Sequence, residues 1–452
     1  MDQVIARYAE LRVPRYTSYP PASRFGADVD AACHAGWLGA VERREPVALY
    51  LHVPFCRQVC WYCACNMKLA AREAPVRAYA RLLQREIALV AAQLPGRMVA
   101  SAVHWGGGTP TALPLDALAA VMAELRHAFM LAADAEIAFE IDPRTFTAEM
   151  APALAALGAT RASLGVQEFD PKVQAAVNRV QPFDVVQATV ARLREAGIEA
   201  INFDLMYGLP FQTPASLART VAQAVGLGPQ RIALFGYAHV PWLGKNQRLV
   251  PEAALPGVQA RFEQAETAAR LLVAAGYRRI GLDHFARPDD PLARAADSGG
   301  LVRNFQGYAV AAAPTLLGFG ASAISALRQG YVQNVTATTT YGRAVEAGRL
   351  PVARGYALTV EDRLRRSVIE RLMCDLTVDL CALAKTYGRP CHHFAPELAR
   401  CRRFVAEGLA RIDGNRLDVT EAGRPAVRVI AAEFDVHLAA TDGNGARHAL
   451  AV

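Results

Sequence analysis

Four thiols fall within ten residues, in the run Cys56-Arg57-Gln58-Val59-Cys60-Trp61-Tyr62-Cys63-Ala64-Cys65. Thiolates this close hold a soft metal or a cluster, or form a redox pair. A structural zinc site wants two Cys/His pairs separated by a longer loop, and no second pair is obvious. A dithiol redox site needs one C-x-x-C; Cys60 and Cys63 supply it but leave Cys56 and Cys65 unused. A ferredoxin spends four Cys on each cluster. The C-x3-C-x2-C spacing suits a third arrangement, in which three thiolates hold three corners of a [4Fe–4S] cube and one iron stays open to a small molecule.

The elements that must position these thiols alternate. An apolar run, Val47 to Val53, reads as a buried strand ending just before Cys56. Strand patterns recur at Val99 to Trp105, Ala135 to Ile141, Thr160 to Val166, Ala200 to Met206 and Arg231 to Tyr237. Helical patterns lie between and after them: Leu115 to Phe129, Ala148 to Leu157, the face Phe183, Val186, Val190 and Leu193, Ser216 to Val225, and Gln259 to Ala275. Alternating βα units predict a parallel sheet, open or closed into a barrel. Polar residues and glycines gather where these strands end: Cys56, Gly106-Gly107-Gly108-Thr109-Pro110, Glu140, Gln167, Asp204 and Ala238-His239. Barrel enzymes build their sites at those C-terminal strand ends. Taken singly, each residue has a plain structural reading: a strand-ending turn for the glycines, a salt-bridged surface acid for Glu140, a turn former for Asp204.

Composition sets the outer bounds. The 452 residues are 53% hydrophobic and 20% charged, enough for one large domain and a smaller one. No apolar run reaches the roughly 18 residues that span a bilayer, and the first residues lack a secretory pattern. A reducing cytoplasm is expected, with free thiols. Cys33, Cys374, Cys381, Cys391 and Cys401 read as small buried hydrophobes, and Cys391-His392-His393 lacks a partner motif for a metal. The net charge of +7 suits a polyanionic substrate or nucleic acid.

Four segments follow. Residues 1–40 form an irregular N-terminal arm carrying Arg15-Tyr16-Thr17-Ser18-Tyr19-Pro20-Pro21, and residues 41–355 form the barrel domain with its extension. Residues 356–438 are mainly helical with a short hairpin at Asp413-Gly414-Asn415, a winged-helix-like pattern read as a lid over the barrel or a DNA-binding module. Residues 439–452 form a loose tail.

The cysteine spacing resembles the radical S-adenosylmethionine (SAM) superfamily. With Cys65, Tyr50, His52, Asn66 and the PRYTSYP arm, the chain is identified as a member of the oxygen-independent coproporphyrinogen III dehydrogenase family over residues 14 to 437. The resemblance implies an α/β fold built on a partial (β/α)6 TIM-like barrel, with a [4Fe–4S] cluster on Cys56, Cys60 and Cys63. It implies two SAM per chain. Tyr50, Gly107, Gly108, Thr109, Glu140 and Ile324 match the first; Tyr62, Gly108, Thr109, Gln167, Arg179, Asp204 and Ala238 match the second. Tyr50, Cys65, Arg15 and Tyr16 are the expected catalytic set, with Cys65 left outside the ligands. Arg15 is expected to pair with a propionate, and Tyr16 and Tyr19 to pack on the macrocycle or seal the barrel mouth. Two positions depart from the family pattern: Tyr62 stands where Phe is common, and Ala64 where Gly is common.

The implied reaction is oxidative decarboxylation of two propionates of coproporphyrinogen III to vinyl groups, started by a 5′-deoxyadenosyl radical. The implied partners are that substrate and a one-electron donor such as a flavodoxin or ferredoxin. A cytoplasmic monomer with no nucleic acid and no membrane partner is expected. Two other classes share features of the chain: a haem-binding chaperone of the same superfamily, and a DNA-binding redox sensor using the C-terminal wing.

Overall fold

The computed structural model describes residues 3–310 and 313–438. The expected tail, 439–452, lies outside the described residues. Six strands carry the fold: β1 (Val47–Val53), β2 (Val99–Gly107), β3 (Met130–Ile141), β4 (Arg161–Gln167), β5 (Ala200–Tyr207) and β6 (Arg231–Gly236). They pair in parallel in chain order. Helices Glu73–Ala91, Leu115–Ala128, Met150–Ala156, Phe183–Glu195, Pro214–Gly226 and Val258–Ala274 run between and after them. Each helix turns an apolar stripe onto the sheet; in Phe183–Glu195 it is Val186, Val190 and Leu193. Gly197, at φ +85°, supplies the left-handed residue that ends this helix.

The sheet is wider than six strands. Thr315–Phe319 joins it in parallel on the far side of β1, with Tyr50 opposite Gly318. Antiparallel strands extend both edges to twelve strands, Ile324–Leu327, Gly330–Asn334 and Val352–Ala357 at one side, His284–Ala286 and Arg278–Ile280 at the other. The N-terminal end of the barrel is closed by an ionic plug. Arg161 reaches Glu136 at 2.8 Å and Asp290 at 3.4 Å, and Arg231 reaches Asp290 at 2.7 Å. The opposite end, where the strands finish, is left for chemistry.

The C-terminal region has its own core. Thr377–Asp379, Arg416–Val419 and Ala410–Asp413 form a small antiparallel sheet against helices Val360–Asp375, Leu380–Thr386 and Ala395–Ala406. The hairpin expected at Asp413-Gly414-Asn415 is present, with Asp413 opposite Arg416.

Two expectations are corrected. The arm is not irregular, since it contains helices Gln3–Ala9 and Ala31–Gly39. Ile5, Tyr8, Val13, Tyr16 and Tyr19 are buried in the C-terminal core, so the arm is a structural element of that core. The first helix has seven residues, too few for a periodicity to stand out, and its partners lie some 400 residues away. Cys381 and Cys391 are neither free nor fully buried; they pair as a disulfide within the C-terminal region. Among the described residues, no helix is long and apolar enough to cross a membrane.

Candidate functional site

Residues at i and i+2 of a strand face the same way. On β1 this puts Tyr50 and His52 on one face, with Tyr50 stacked at 5.9 Å on His104 of β2. Burial holds the His52 imidazole below its ordinary pKa, so the ring is neutral. Its Nε2 faces the Asn66 carbonyl at 3.1 Å and must carry the proton; Nδ1 then accepts from the Tyr50 hydroxyl at 3.1 Å. This tautomer ties Asn66, just past the thiol loop, to the strand before it.

The glycine run is required by the protein's own packing. A Cβ on Gly106 would lie 2.6 Å from a Glu140 carboxylate oxygen. One on Gly107, at φ +109°, would lie 2.6 Å from the His52 ring. One on Gly108 would lie 2.8 Å from the Phe55 carbonyl. The run therefore lies flat against Val53–Cys56: the Gly108 N–H donates to Val53 and the Thr109 N–H to Phe55, each at 2.8 Å. The Thr109 hydroxyl donates to Cys56 Sγ at 3.6 Å.

Glu140 stands at the end of β3. Burial alone would raise its pKa, but His104 Nε2 at 3.1 Å and the Gly107 N–H at 3.0 Å hold it below the usual carboxylate range. Asp204 behaves oppositely. Burial, and then the neighbouring Glu140 charge, push it up to about 7 against the pull of His104 and Arg179. The site thus has one carboxylate that stays ionised and one that holds a proton near neutrality.

The thiols are set in a cationic frame. Arg144 and Arg179 each donate to Cys60 Sγ at 3.3 Å. Both also pair with Asp142, Arg144 at 2.6 Å and Arg179 at 3.4 Å. Burial would weaken the Arg179 charge; the Tyr62 hydroxyl, Asp142 and Cys60 around it hold its pKa above the ordinary value. Cys56 is pushed up to about 11 by burial, while a hydrogen bond from Cys65 lowers Cys63 to about 7. Cys65 itself is exposed. Among the described residues, no three His, Cys, Asp or Glu side chains gather closely enough to hold one metal ion.

Sequence reasoning missed the residues that staple this loop. The Asn246 amide reaches the carbonyls of Cys60, Trp61 and Cys63 at 2.9, 3.1 and 2.8 Å. The Gln247 amide bridges the carbonyls of Tyr62 and Ala238 at 2.7 and 3.2 Å. Arg144 and His104 were missed as well. The only signal was Arg144's place four residues past Glu140 and His104's place two residues before the glycine run.

Most of the expected site residues meet at this end of the barrel. Gln167 sits at a register shift in β4 with φ +67°, a bulge that re-aims a side chain, and its amide lies beside Arg179 around Gly165. Ile324 faces Gly318, the sheet partner of Tyr50. Arg15 reaches the end of β6, where its guanidinium donates to the Gly236 carbonyl at 3.2 Å. Tyr16 and Tyr19 do not join them. The Tyr16 hydroxyl donates to Asp435 at 3.1 Å and the Tyr19 hydroxyl accepts from the Val436 N–H at 3.3 Å, both inside the C-terminal core. Both residues also line a cavity with Arg303 and Phe305.

Comparison with known proteins agrees with this geometry. Residues 50–224 match the radical SAM superfamily, and residues 358–426 match the HemN C-terminal domain. The chain is 49% identical to the oxygen-independent coproporphyrinogen III oxidase of Bradyrhizobium diazoefficiens, covering 95% of this chain and 96% of that one. It is 40% identical to the Salmonella typhimurium protein of the same name, over 94% and 93%. The solved structure of coproporphyrinogen III oxidase (HemN) from Escherichia coli, described as a radical SAM enzyme, superposes with a TM-score of 0.90 at 37% identity, over 95% of this chain and all of that one. The superfamily implies a [4Fe–4S] cluster and SAM; the paired arginines on Cys60 and the flat glycine run beside the thiol loop fit both. With that loop, those strand ends and relatives alike over nearly their whole length, this chain belongs to the oxygen-independent coproporphyrinogen III oxidase family of the radical SAM superfamily.

Proposed function

We propose that this protein converts two propionate side chains of coproporphyrinogen III to vinyl groups without oxygen, giving protoporphyrinogen IX for haem synthesis. Each round removes one hydrogen atom from a propionate β-carbon, releases CO2 and passes one electron to an acceptor. The observation that carries the reading is the joining, at one barrel end, of a three-thiol loop to a carboxylate held ionised by His104 and Gly107.

When bound, the cluster and SAM supply the hydrogen-abstracting radical. The chain's own residues do the rest. Cys56, Cys60 and Cys63 are the three ligands in this reading, and Arg144 and Arg179 offset their negative charge. Glu140, fixed in its ionised form, is an acceptor for ribose hydroxyls. Tyr50 and Ile324 would hold the same nucleoside, and Gly107, Gly108 and Thr109 would hold its methionine part. A second SAM would be held by Tyr62, Gly108, Thr109, Gln167, Arg179, Asp204 and Ala238; the Gln247 bridge between Tyr62 and Ala238 supports that grouping. Asp204, protonated near neutrality, is a donor there. A flavodoxin or ferredoxin as donor, a cytoplasmic location and a monomeric state complete the reading.

The deciding experiment is anaerobic turnover of coproporphyrinogen III with SAM and a low-potential reductant, followed by pigment analysis. Protoporphyrin after oxidation of the products is the expected result. Tight haem binding without turnover would replace this reading with a chaperone role.

A further inference from the structure

Among the described residues, the four most exposed large apolar side chains are Leu243, Val180, Leu249 and Leu69, at 72, 63, 59 and 58%. All four stand on segments fastened to the thiol loop. Leu69 ends a short strand, Lys68–Leu69, paired with Phe55–Cys56, and the Ala70 N–H after it donates to the Cys56 carbonyl at 2.8 Å. Val180 follows Asn178, whose amide donates to the Val59 carbonyl at 2.8 Å, and the Trp61 N–H donates to the Val177 carbonyl at 2.9 Å. Leu243 and Leu249 flank Asn246, which staples Cys60, Trp61 and Cys63. A Cβ on Gly244 would lie 3.3 Å from the Cys63 carbonyl, so this segment rests directly on the loop. Apolar side chains gathered in the open around one loop mark a surface for a partner.

The same segments carry one sign of charge. Residues 55–70, 177–182 and 242–250 contain no Asp or Glu, and Arg57, Lys68, Lys245 and Arg248 on them are exposed. A cationic rim steers an acidic partner to the surface, and apolar contact holds it there. A nucleic acid would use the cations and leave the apolar side chains in water; an acidic protein uses both. The rim is separate from the cavity of about 430 Å³ that Arg15, Arg261, Arg303 and Arg428 help to wall at the same barrel mouth. None of the four apolar and four basic rim side chains lines that cavity.

We propose that this rim is the docking surface for an acidic one-electron carrier protein, seated over the thiol loop. The proposal rests on the function proposed above. One electron passes from the reduced carrier to the cluster; no bond forms or breaks and no proton moves. Transfer between proteins falls steeply with distance, so the carrier must sit against the loop that holds the thiols. Such encounters bury little surface, under about 1,200 Å², which three short segments can supply.

Equilibrium binding of oxidised flavodoxin and, separately, of oxidised ferredoxin to reconstituted holoenzyme is measured by anaerobic calorimetry. Cluster reduction by each reduced carrier is followed by absorbance in stopped flow. At least one carrier should bind wild type, and less tightly as salt rises. Lys245→Glu with Arg248→Glu should weaken that binding at least tenfold and remove most of its salt dependence. Leu243→Ser with Leu249→Ser should weaken it about tenfold and keep the salt dependence. Carrier-driven reduction should slow in step, while reduction by dithionite, iron content and SAM affinity stay at wild-type values. Wild-type carrier affinity in both double variants, no binding of either carrier to wild type, or equal slowing with dithionite would each overturn the proposal. A wild-type dimer that the leucine variant turned into a monomer would overturn it too, by making the rim a contact between copies. Dithionite-driven turnover with carrier binding that ignores the rim would sink the docking surface and leave the reaction; rim-dependent binding without turnover would do the reverse.

Discussion

The thiol site and the arginine cavity share one barrel mouth but are assembled in opposite ways. The thiol loop spans ten residues, and its charges are answered at close range: Arg144 and Arg179 by Asp142 and Cys60, Glu140 by His104. The cavity takes arginines from positions 15, 261, 303 and 428, which reach carbonyls of distant segments, Arg303 also pairing with Asp283. The first site is fixed by partners close along the barrel, the second by partners that only the folded arm and C-terminal region supply. The difference also appears in packing, because the first site belongs to the barrel core and the second is closed only when the C-terminal core is in place.

The largest effect that would break this contrast is at the thiols. Cys60→Ser should abolish the absorbance and iron content of the reconstituted cluster, whereas Cys65→Ser, which removes an exposed thiol, should keep most of both. Equal loss in the two variants would make the site a four-thiolate one.

Next comes the arm. Deleting residues 1–22 removes Ile5, Tyr8, Val13, Tyr16 and Tyr19 from the C-terminal core. At about 1.5–3 kcal/mol for each fully buried side chain, the loss is comparable to a whole domain's stability. The C-terminal region should melt well below the barrel, seen as a separate low-temperature transition in calorimetry, while iron incorporation survives. A single unchanged transition would make the arm a surface appendage.

A smaller effect belongs to the loop staple. Asn246→Ala leaves three loop carbonyls without their donor, a cost of roughly 1–3 kcal/mol. Iron should be lost to a chelator several times faster, with tetrapyrrole affinity unchanged. Equal chelator kinetics would show that the thiols need no staple.

The smallest effect is a pH dependence. Asp204 titrates at about 7 when folded and near the ordinary aspartate value of 3.8 when unfolded, so between those values the folded chain keeps a proton that the unfolded chain has lost. Stability from this group is full below about pH 4 and declines as pH rises to about 7. Asp204→Asn should flatten that decline by at most a few kcal/mol, read from Tm at pH 5 and pH 8. Glu86, also raised to about 7 by burial, leaves a residual slope. A decline as steep as wild type would place the proton elsewhere.

What could be read from the sequence alone was what neighbouring residues encode. Val47–Val53 emerges as a strand with the expected ends, and Cys56, Gly106–Pro110, Glu140 and Gln167 stand at strand ends as expected, whereas Asp204 lies within β5, three residues before its end. Periods of two and 3.6 and a ten-residue ligand spacing are local, so the chain states them without folding. The tertiary structure decided everything that joins distant segments. It placed Thr315–Phe319 beside β1, Asn246 under the thiol loop, and Cys381 against Cys391. It sent Tyr16 into a core and Arg428 to carbonyls more than 400 residues away. Such pairings follow from which apolar faces bury one another, and no local period records which face a given stripe will meet.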